Sequence, residues 1–514
     1  MANLWNRLFV PIFIILLLAF SLRFYALDIE SLWIDEAFSL HIAQQPDVKQ
    51  VFLETSQTEA APPGYYVLLH YWINVFGTSE WTVRFLSVLF STLAVLMLFL
   101  LVRLLLNGKV ALLSSLFMAL SMLQVEYAQE ARLYALFTFL SLWSAYFFAR
   151  WYLSVSRPNP QNPAQKASST WALCCYGFSM LLALYVNYMA LLLVIGFTLI
   201  LFSKKTLFNN CWKMWLRAHL FIFSLSLPLL PLLFYQFQSI NTGLAASLVI
   251  KGVPLIFAQL GIFFFLLPVF TLTLLIAFLV SKDRLRQLFF SVDRFFLWFV
   301  VGIGLFYLYL SIKPFIIGGI PVIRVPITNS YFLIRHSFFL VPLWYIYLVY
   351  KVDHFWSSQR KRRAVFLTIL IIFFCAASLF YYYSQPTKAQ WQEATNFIFM
   401  PAGAQEPFIL LDKGGFSNEF LLRYYAPEPF SLLKLTWSEG RRDLQRIGDE
   451  ELLAALQEKD EFWLVLARNP RTGVHFKELL DQHFTRKMSK EFYQIEVYHY
   501  AALKEVSAAA ETKP

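Results

Sequence analysis

Asp28-Ile-Glu-Ser-Leu-Trp-Ile-Asp35-Glu36-Ala-Phe38 follows one long apolar run, and Glu80-Trp-Thr-Val-Arg84 opens the next, with Ala61-Pro-Pro-Gly-Tyr-Tyr66 between them. A polar insert set between two apolar runs decides the class of fold. Residues 8–26 are apolar after a short start containing Arg7, and about twenty apolar residues suffice to cross a bilayer. No small-x-small cleavage site follows, so the run is expected to be an uncleaved first helix and not a signal peptide. Residues 83–105 form the returning helix. The stretch 27–82 is then a loop on the far side of a membrane.

Composition agrees. Of the 514 residues 58% are hydrophobic and 15% charged, and 54 are Phe; a soluble chain carries about 25% charged residues. The chain is expected to be a polytopic α-helical membrane protein. Its net charge of +11 does not indicate nucleic acid, because Lys and Arg gather in short loops between apolar runs, which is the positive-inside pattern. Cys174, Cys175 and Cys375 lie in apolar runs and Cys211 in a basic loop. They are expected to be small fillers, neither a disulfide framework nor a zinc site.

Further helices are expected at 110–123, after the tight turn Asn107-Gly108-Lys109, and at 132–150, with the polar knot 124–132 between them on the outer side. A Pro/Asn/Ser-rich linker, 154–170, lies inside. The apolar stretch 171–203 is too long for one span and splits at Tyr185-Val-Asn-Tyr188. Spans at 218–237 (kinked by Pro228 and Pro231), 254–280, 295–312, 331–350 and 364–383 complete a set of about eleven. This count places Lys204, Lys205, Lys213, Arg217, Lys282, Arg284, Arg286, Arg294 and the run Arg360-Lys361-Arg362-Arg363 all inside. The expected domains are therefore a transmembrane unit, 1–383, containing the outer loop 27–82; an extracytoplasmic α/β domain, 384–505; and a disordered tail, 506–514. Phe408–Asp412 and Phe462–Ala467 have the apolar continuity of buried strands, and Asn418–Tyr425, Glu450–Glu458 and His475–His483 the spacing of amphipathic helices.

Asp35 and Glu36 are adjacent, so their side chains diverge by about 100° on a helix. One is expected to face a site while the other braces it. The plain alternative is a solvated acidic pair capping a short helix. Tyr65 to Phe76 has helical apolar spacing and suits a membrane interface, with Trp72 and Trp81 in the aromatic belt. Glu126 and Glu130 share a helical face, as do Glu130 and Tyr134, and Arg132 stands at the mouth of a span. Charges at that depth are costly unless paired or useful. A salt-bridged helix entry is the structural alternative. No His-x-x-x-His or Asp-x-Asp occurs; no cofactor is firmly indicated, although Asp35 and Glu36 could bind a divalent cation weakly.

Taken in order, Trp33-x-Asp35-Glu36, Pro62-Pro63-x-Tyr65-Tyr66, Gly77-x-Ser79-Glu80-x-x-x-Arg84 and Gln129-Glu130-x-Arg132-x-Tyr134 resemble bacterial membrane glycosyltransferases. These are the family 39-like enzymes of the GT-C fold, related to protein O-mannosyltransferases and lipid A aminoarabinose transferases. The motifs cover about the first 140 residues. The resemblance implies a polyprenyl-phosphate-linked sugar donor, transfer on the outer membrane face with inversion, and an acceptor that is a lipid, glycan or protein. It carries the role of catalytic base to Asp35, with Glu36 as its motif neighbour. Where family members often have a His-Tyr pair, this chain has Asn187 before Tyr188; Asn187 keeps only a hydrogen-bonding role toward sugar. The leaving group would be a lipid phosphate, so cations rather than a general acid are needed. Arg84, Arg132, Lys313, Arg324, Arg335 and His336 are the candidates; Arg335-His336 opens a span on the outer side, against the inside rule. The expected phosphate ligands are Arg84, Arg132, Arg335 and His336, and the expected substrate contacts Glu126, Glu130, Tyr134, Tyr65 and Asn187.

Two other classes compete. A transporter or flippase of a lipid-linked substrate would place ionisable groups or matching broken helices at mid-membrane; the charges here sit in outer loops, and no pair of broken helices is evident in the sequence. A non-catalytic scaffold would rest on the C-terminal domain. The expected location is the plasma (inner) membrane, with the N-terminus cytoplasmic and the C-terminal domain extracytoplasmic.

Overall fold

The computed structural model describes residues 2–156, 163–202, 205–236, 338–357, 361–400, 408–412, 416–427, 430–435, 449–457, 459–467 and 470–502. The expected spans 254–280 and 295–312, the first residues of the span 331–350, and the tail 506–514 lie outside the described residues.

Helix α1 (Ala2–Phe24) enters the insert, which is helical and not an open loop: α2 (Ile34–Ala43), α3 (Val48–Thr58) and α4 (Gly64–Phe76). Each start has a local cause. The Asp47 carboxylate accepts the Gln50 N–H at 2.9 Å to begin α3, and Ser79 Oγ accepts the Thr82 N–H at 3.3 Å to begin α5 (Glu80–Leu105). The turn at Asn107 is itself a cap, its side chain accepting the Val110 N–H at 2.9 Å to open α6 (Gly108–Leu120). There follow α7 (Met122–Ala128), α8 (Tyr134–Ser156), α9 (Pro163–Val186), α10 (Ala190–Phe202) and α11 (Lys205–Ser226). The expected break at Tyr185–Tyr188 separates α9 from α10, and the expected kink near Pro228 separates α11 from the short helix Leu229–Gln236 by 62°.

Two expectations need correction. The polar knot 124–132 begins as helix α7, and its Gln124, Gln129, Glu130 and Arg132 are buried. The α6–α7 pair is one apolar run bent by 60°, and α11 with Leu229–Gln236 is a second. The first of these breaks was not evident in the sequence, whereas the second follows the expected kink near Pro228. Among the described residues three helices are long and apolar enough to cross a membrane, Glu80–Leu105, Ala167–Val186 and Lys361–Ser384, or five if each bent pair is one span. Phe9, Phe13 and Leu17 on α1, and Phe366, Ile369, Phe373 and Phe380 on Lys361–Ser384, are exposed, as suits helices whose outer faces meet lipid.

The bend at Ser121 has a partner on α1. The Arg23 guanidinium, fully buried, donates to the carbonyls of Met118 and Ala119 at 3.1 Å each and to Ser91 Oγ at 2.8 Å. It satisfies acceptors that the end of α6 leaves open. Sequence reasoning passed over this arginine inside an apolar run.

Beyond Lys361–Ser384 the chain forms a five-stranded mixed sheet in the order β2-β1-β3-β5-β4, from β1 (Phe408–Asp412), β2 (Ser431–Leu435), β3 (Glu461–Ala467), β4 (Phe484–Phe492) and β5 (Ile495–Ala502). β1 pairs parallel with β2 and β3, and β5 antiparallel with β3 and β4. The apolar runs at β1 and β3 are the central strands. β4 was not foreseen because, as the outermost strand, it carries Arg486, Lys487 and Lys490 and buries little; charged residues protect such edges. The amphipathic helices appear as Phe416–Tyr425, Asp449–Gln457 and Pro470–His483.

The domain docks on the insert. The Leu32 N–H donates to Tyr425 Oη at 2.7 Å, the Gln392 N–H to Ser31 Oγ at 3.0 Å, Tyr424 Oη to the Thr78 carbonyl at 2.8 Å, and Thr387 Oγ1 to Glu30 at 2.6 Å.

The Pro-Pro-Gly element is explained by space. A Cβ on Gly64 would stand 2.5 Å from the Tyr185 carbonyl oxygen, so only glycine lets α4 approach the α9–α10 break this closely. Gly64→Ala is expected to destabilise the fold by about 1–3 kcal/mol through overpacking, whereas Gly77→Ala, with φ +89° and open space around it, is expected to cost about 1 kcal/mol from backbone strain alone. Unfolding midpoints of the two variants in detergent check the ranking.

Candidate active site

The motifs that are scattered in sequence meet at the start of α2. Trp33 is extended and precedes the helix, so Asp35 and Glu36 fall in its first turn, where a carboxylate is favoured by the unpaired N–H groups. Glu36 folds back to accept the Trp33 N–H at 3.2 Å. The same carboxylate receives Arg84 Nε at 2.8 Å and Nη2 at 2.9 Å, a bidentate pair. It also receives the Ala131 N–H at 2.9 Å and Lys388 Nζ at 3.0 Å. Its side chain is completely buried.

Burial alone would raise the Glu36 pKa. The charge of Arg84, then that of Lys388, with their hydrogen bonds, outweighs it and holds the carboxyl down at about 2. Glu36 is therefore a fixed anion. As a catalytic group it is corrected: a carboxylate so low and so fully bonded takes no proton near neutrality.

Arg84 is corrected likewise. Nη1 donates to the carbonyls of Leu27 at 2.8 Å and Glu30 at 2.7 Å, and Nη2 also to that of Ser31 at 3.0 Å. With the two bonds to Glu36, its five N–H groups are used, and none remains for a phosphate. It shapes the turn between α1 and α2.

Gln129 supports the same turn from the other side. Its amide nitrogen donates to the Arg23 carbonyl at 3.1 Å and the Tyr25 carbonyl at 2.6 Å, capping the end of α1, where Ala26 has φ +60°. Its amide oxygen accepts Tyr382 Oη at 2.9 Å, and its backbone carbonyl accepts Lys388 Nζ at 2.9 Å.

Asp35, next to Glu36 in the first turn of α2, is half-buried. Its carbonyl accepts Ser39 Oγ at 3.1 Å and Arg132 Nη1 at 3.2 Å. Arg132, largely buried, donates also to Ser39 Oγ at 3.2 Å, Tyr66 Oη at 3.4 Å and Glu59, whose Oε1 is 2.5 Å from Nη1 and whose Oε2 is 3.3 Å from Nη2. The charges of Asp35 and Glu59 both act on Arg132. Asp35 and Arg132, 97 residues apart in sequence, are thus joined.

Of the expected substrate contacts, Glu130, Tyr134 and Tyr65 are buried close to this centre, with Tyr134 ringed against Tyr127 at 5.0 Å and Tyr65 against Tyr66 at 5.5 Å. Glu126 is half-buried on α7. Asn187 Oδ1 accepts the Met189 N–H at 3.0 Å and is occupied in the α9–α10 break. That break reaches the insert through Tyr188 Oη to Gln236 Oε1 at 2.8 Å. Gln236 Nε2 in turn donates to the carbonyls of Glu59 and Ala61, at 2.9 Å each. Arg335, His336, Lys313 and Arg324 lie outside the described residues.

Sequence reasoning missed Glu59 and Lys388. Lys388 follows the last expected span on its outer side, so the inside rule that marked Arg335 could have marked it too. Glu59 had no local signal. Among the described residues no group of three or more His, Cys, Asp or Glu is placed to hold a metal ion. A groove of about 690 Å³ between Trp391–Phe399 and β4, lined by Glu393, Phe397, Lys490 and Phe492, includes none of the expected site residues.

Removing either partner of the buried cluster strands a charge. Glu36→Gln is expected to cost about 3–5 kcal/mol, seen as a lower unfolding midpoint in detergent; Lys388→Met is expected to cost less, because Arg84 remains on Glu36. The folded pKa of Glu36 lies below its ordinary 4.5. Its stabilisation, about 3 kcal/mol, is therefore complete above pH 4.5 and lost as pH falls from there toward 2. Acid unfolding of the wild type should show that loss, and Glu36→Gln should flatten it.

Comparison with known proteins identifies one segment. No curated relative matches the chain. Solved structures with similar arrangements include ArnT from Cupriavidus metallidurans bound to undecaprenyl phosphate, at 14% identity and TM-score 0.48 over 97% of this chain and 98% of that one. Another is the Archaeoglobus fulgidus oligosaccharyltransferase, at 12% identity and TM-score 0.47 over 96% and 73%. The S. cerevisiae Pmt1–Pmt2 complex bound to its sugar donor aligns at 17% identity and TM-score 0.35 over 46% and 34%. Residues 60–232 match the family model described as dolichyl-phosphate-mannose-protein mannosyltransferase. The chain thus resembles, through this segment and the ordered motifs around it, the GT-C membrane glycosyltransferases.

Proposed function

We propose that the protein is a multi-pass membrane glycosyltransferase that moves a sugar from a polyprenyl-phosphate donor to a lipid, glycan or protein acceptor on the extracytoplasmic face, with inversion. The division of labour between two adjacent carboxylates carries this reading. Glu36 is sealed and fixed by Arg84, Lys388 and Ala131, whereas Asp35 stands half-buried on the same helix turn beside Arg132.

In this mechanism Asp35 is the general base. It takes the proton from an acceptor hydroxyl as that oxygen attacks the anomeric carbon. The bond from that carbon to the phosphate oxygen breaks, and the lipid phosphate leaves as an anion. No general acid is needed; cations where the negative charge develops lower the barrier. Arg132 is the described cation best placed for this, joined by Arg335 and His336 in the proposal. Glu130, Tyr134, Tyr65 and Glu126 line the approach of the sugar. A transmembrane unit, 1–383, holds the site, and the domain 384–505 packs on it from the extracytoplasmic side, with the N-terminus cytoplasmic.

A lipid-linked substrate carrier is the second reading, favoured by the two bent helix pairs. Reconstituted vesicles separate the two: substrate crossing without sugar transfer supports the carrier. For the enzyme, Asp35→Asn is expected to lower transfer from a matched lipid-linked donor by about 10²–10⁴-fold with the unfolding midpoint nearly unchanged. A fully active Asp35→Asn protein would falsify the assigned mechanism.

A further inference from the structure

Arg132 already holds an anion. The Glu59 carboxylate faces its two terminal nitrogens from 2.5 and 3.3 Å, the forked arrangement that a phosphate adopts on arginine. Three features make this pair exchangeable. First, the Glu59 backbone is pinned independently: its N–H donates to the Thr55 carbonyl at 3.0 Å, and its own carbonyl accepts Gln236 Nε2 at 2.9 Å. Withdrawal of the carboxylate therefore needs only side-chain rotation. Second, Arg132 Nη1 also reaches the Asp35 carbonyl, Ser39 Oγ and Tyr66 Oη, so it keeps acceptors when the carboxylate leaves. Nη2, bonded to Glu59, and Nε, unpartnered among the described residues, are the N–H groups an incoming anion would take up. Third, Glu59 is the outer member of the pair, its side chain 14% exposed against 8% for Arg132.

A buried guanidinium left without an anion is costly. Only a ligand that brings its own negative charge can replace the carboxylate at low cost; a prenyl alcohol or other neutral lipid cannot. We propose that Glu59 is a displaceable stand-in for the donor phosphate on Arg132, a specificity-determining residue that admits phosphate-bearing lipids and excludes neutral ones. This inference rests on the phosphate-binding role given to Arg132 in the proposed function.

The test uses the full chain in detergent with farnesyl phosphate as probe, and farnesol and inorganic phosphate as controls, binding being followed by tryptophan fluorescence. Glu59→Gln weakens the internal competitor, and farnesyl phosphate is expected to bind about tenfold more tightly, with farnesol unchanged. Glu59→Asp, which keeps the charge but shortens the reach, is expected to fall between, and serves if the Gln variant does not fold. Arg132→Gln is expected to weaken farnesyl phosphate binding. Equal or weaker binding by both Glu59 variants, with the Arg132 effect present, overturns the stand-in and leaves the role of Arg132 intact. Binding indifferent to Arg132→Gln overturns that role and the stand-in with it. Equal tightening toward farnesol overturns the claimed exclusion of neutral lipids, whereas tightening toward inorganic phosphate alongside farnesyl phosphate supports the stand-in.

Discussion

A buried carboxylate cannot be left alone. Glu36 sits in an environment that would penalise its charge by several kcal/mol, and the surrounding structure is arranged to supply what water no longer can. Arg84 comes from the start of α5, the Ala131 N–H from the link between α7 and α8, and Lys388 from the segment beyond the last apolar helix. Four parts of the chain, remote in sequence, converge because this one anion needs donors from all of them. The same demand fixes where α2 begins and therefore puts Asp35 in its first turn.

Around that centre the contacts divide by purpose. Arg84 and Gln129 spend their polar groups on carbonyls at the end of α1 and on Glu36, and so hold the turn that delivers the insert. Arg132 sits farther out, against Asp35, Ser39 and Glu59. One arginine is saturated by fixed protein groups, and the other pairs with a carboxylate near the surface. Two residues that look equivalent in sequence thereby acquire different parts in the proposed chemistry. The docking of the C-terminal sheet belongs to the same arrangement, since Lys388 and Tyr425 tie it to both ends of the Ser31–Glu36 stretch.

Much of the fold was legible in the sequence because apolar length and periodicity are local signals. Helix α5, the α9–α10 break, the Pro228 kink and the central strands β1 and β3 all follow from runs read without tertiary information. The signal failed where polarity is satisfied at a distance. The knot 124–132 is polar in sequence yet buried, because its groups meet Arg23, Tyr25, Glu36 and Glu59. The bend between α6 and α7 was invisible for a related reason: the carbonyls at Met118 and Ala119 are answered by Arg23 from another helix.

The sequence by itself determined that the chain is apolar in helix-length runs, that an insert with Asp35 and Glu36 follows the first, and that its ordered motifs resemble those of the GT-C glycosyltransferases. Only the tertiary structure decided which of the two carboxylates is sealed, that Arg84 is spent inside the protein, and that Glu59 and Lys388 belong to the same neighbourhood. The physical reason is that hydropathy and spacing act along the chain, whereas the state of a charge is set by whichever donors and acceptors reach it through space.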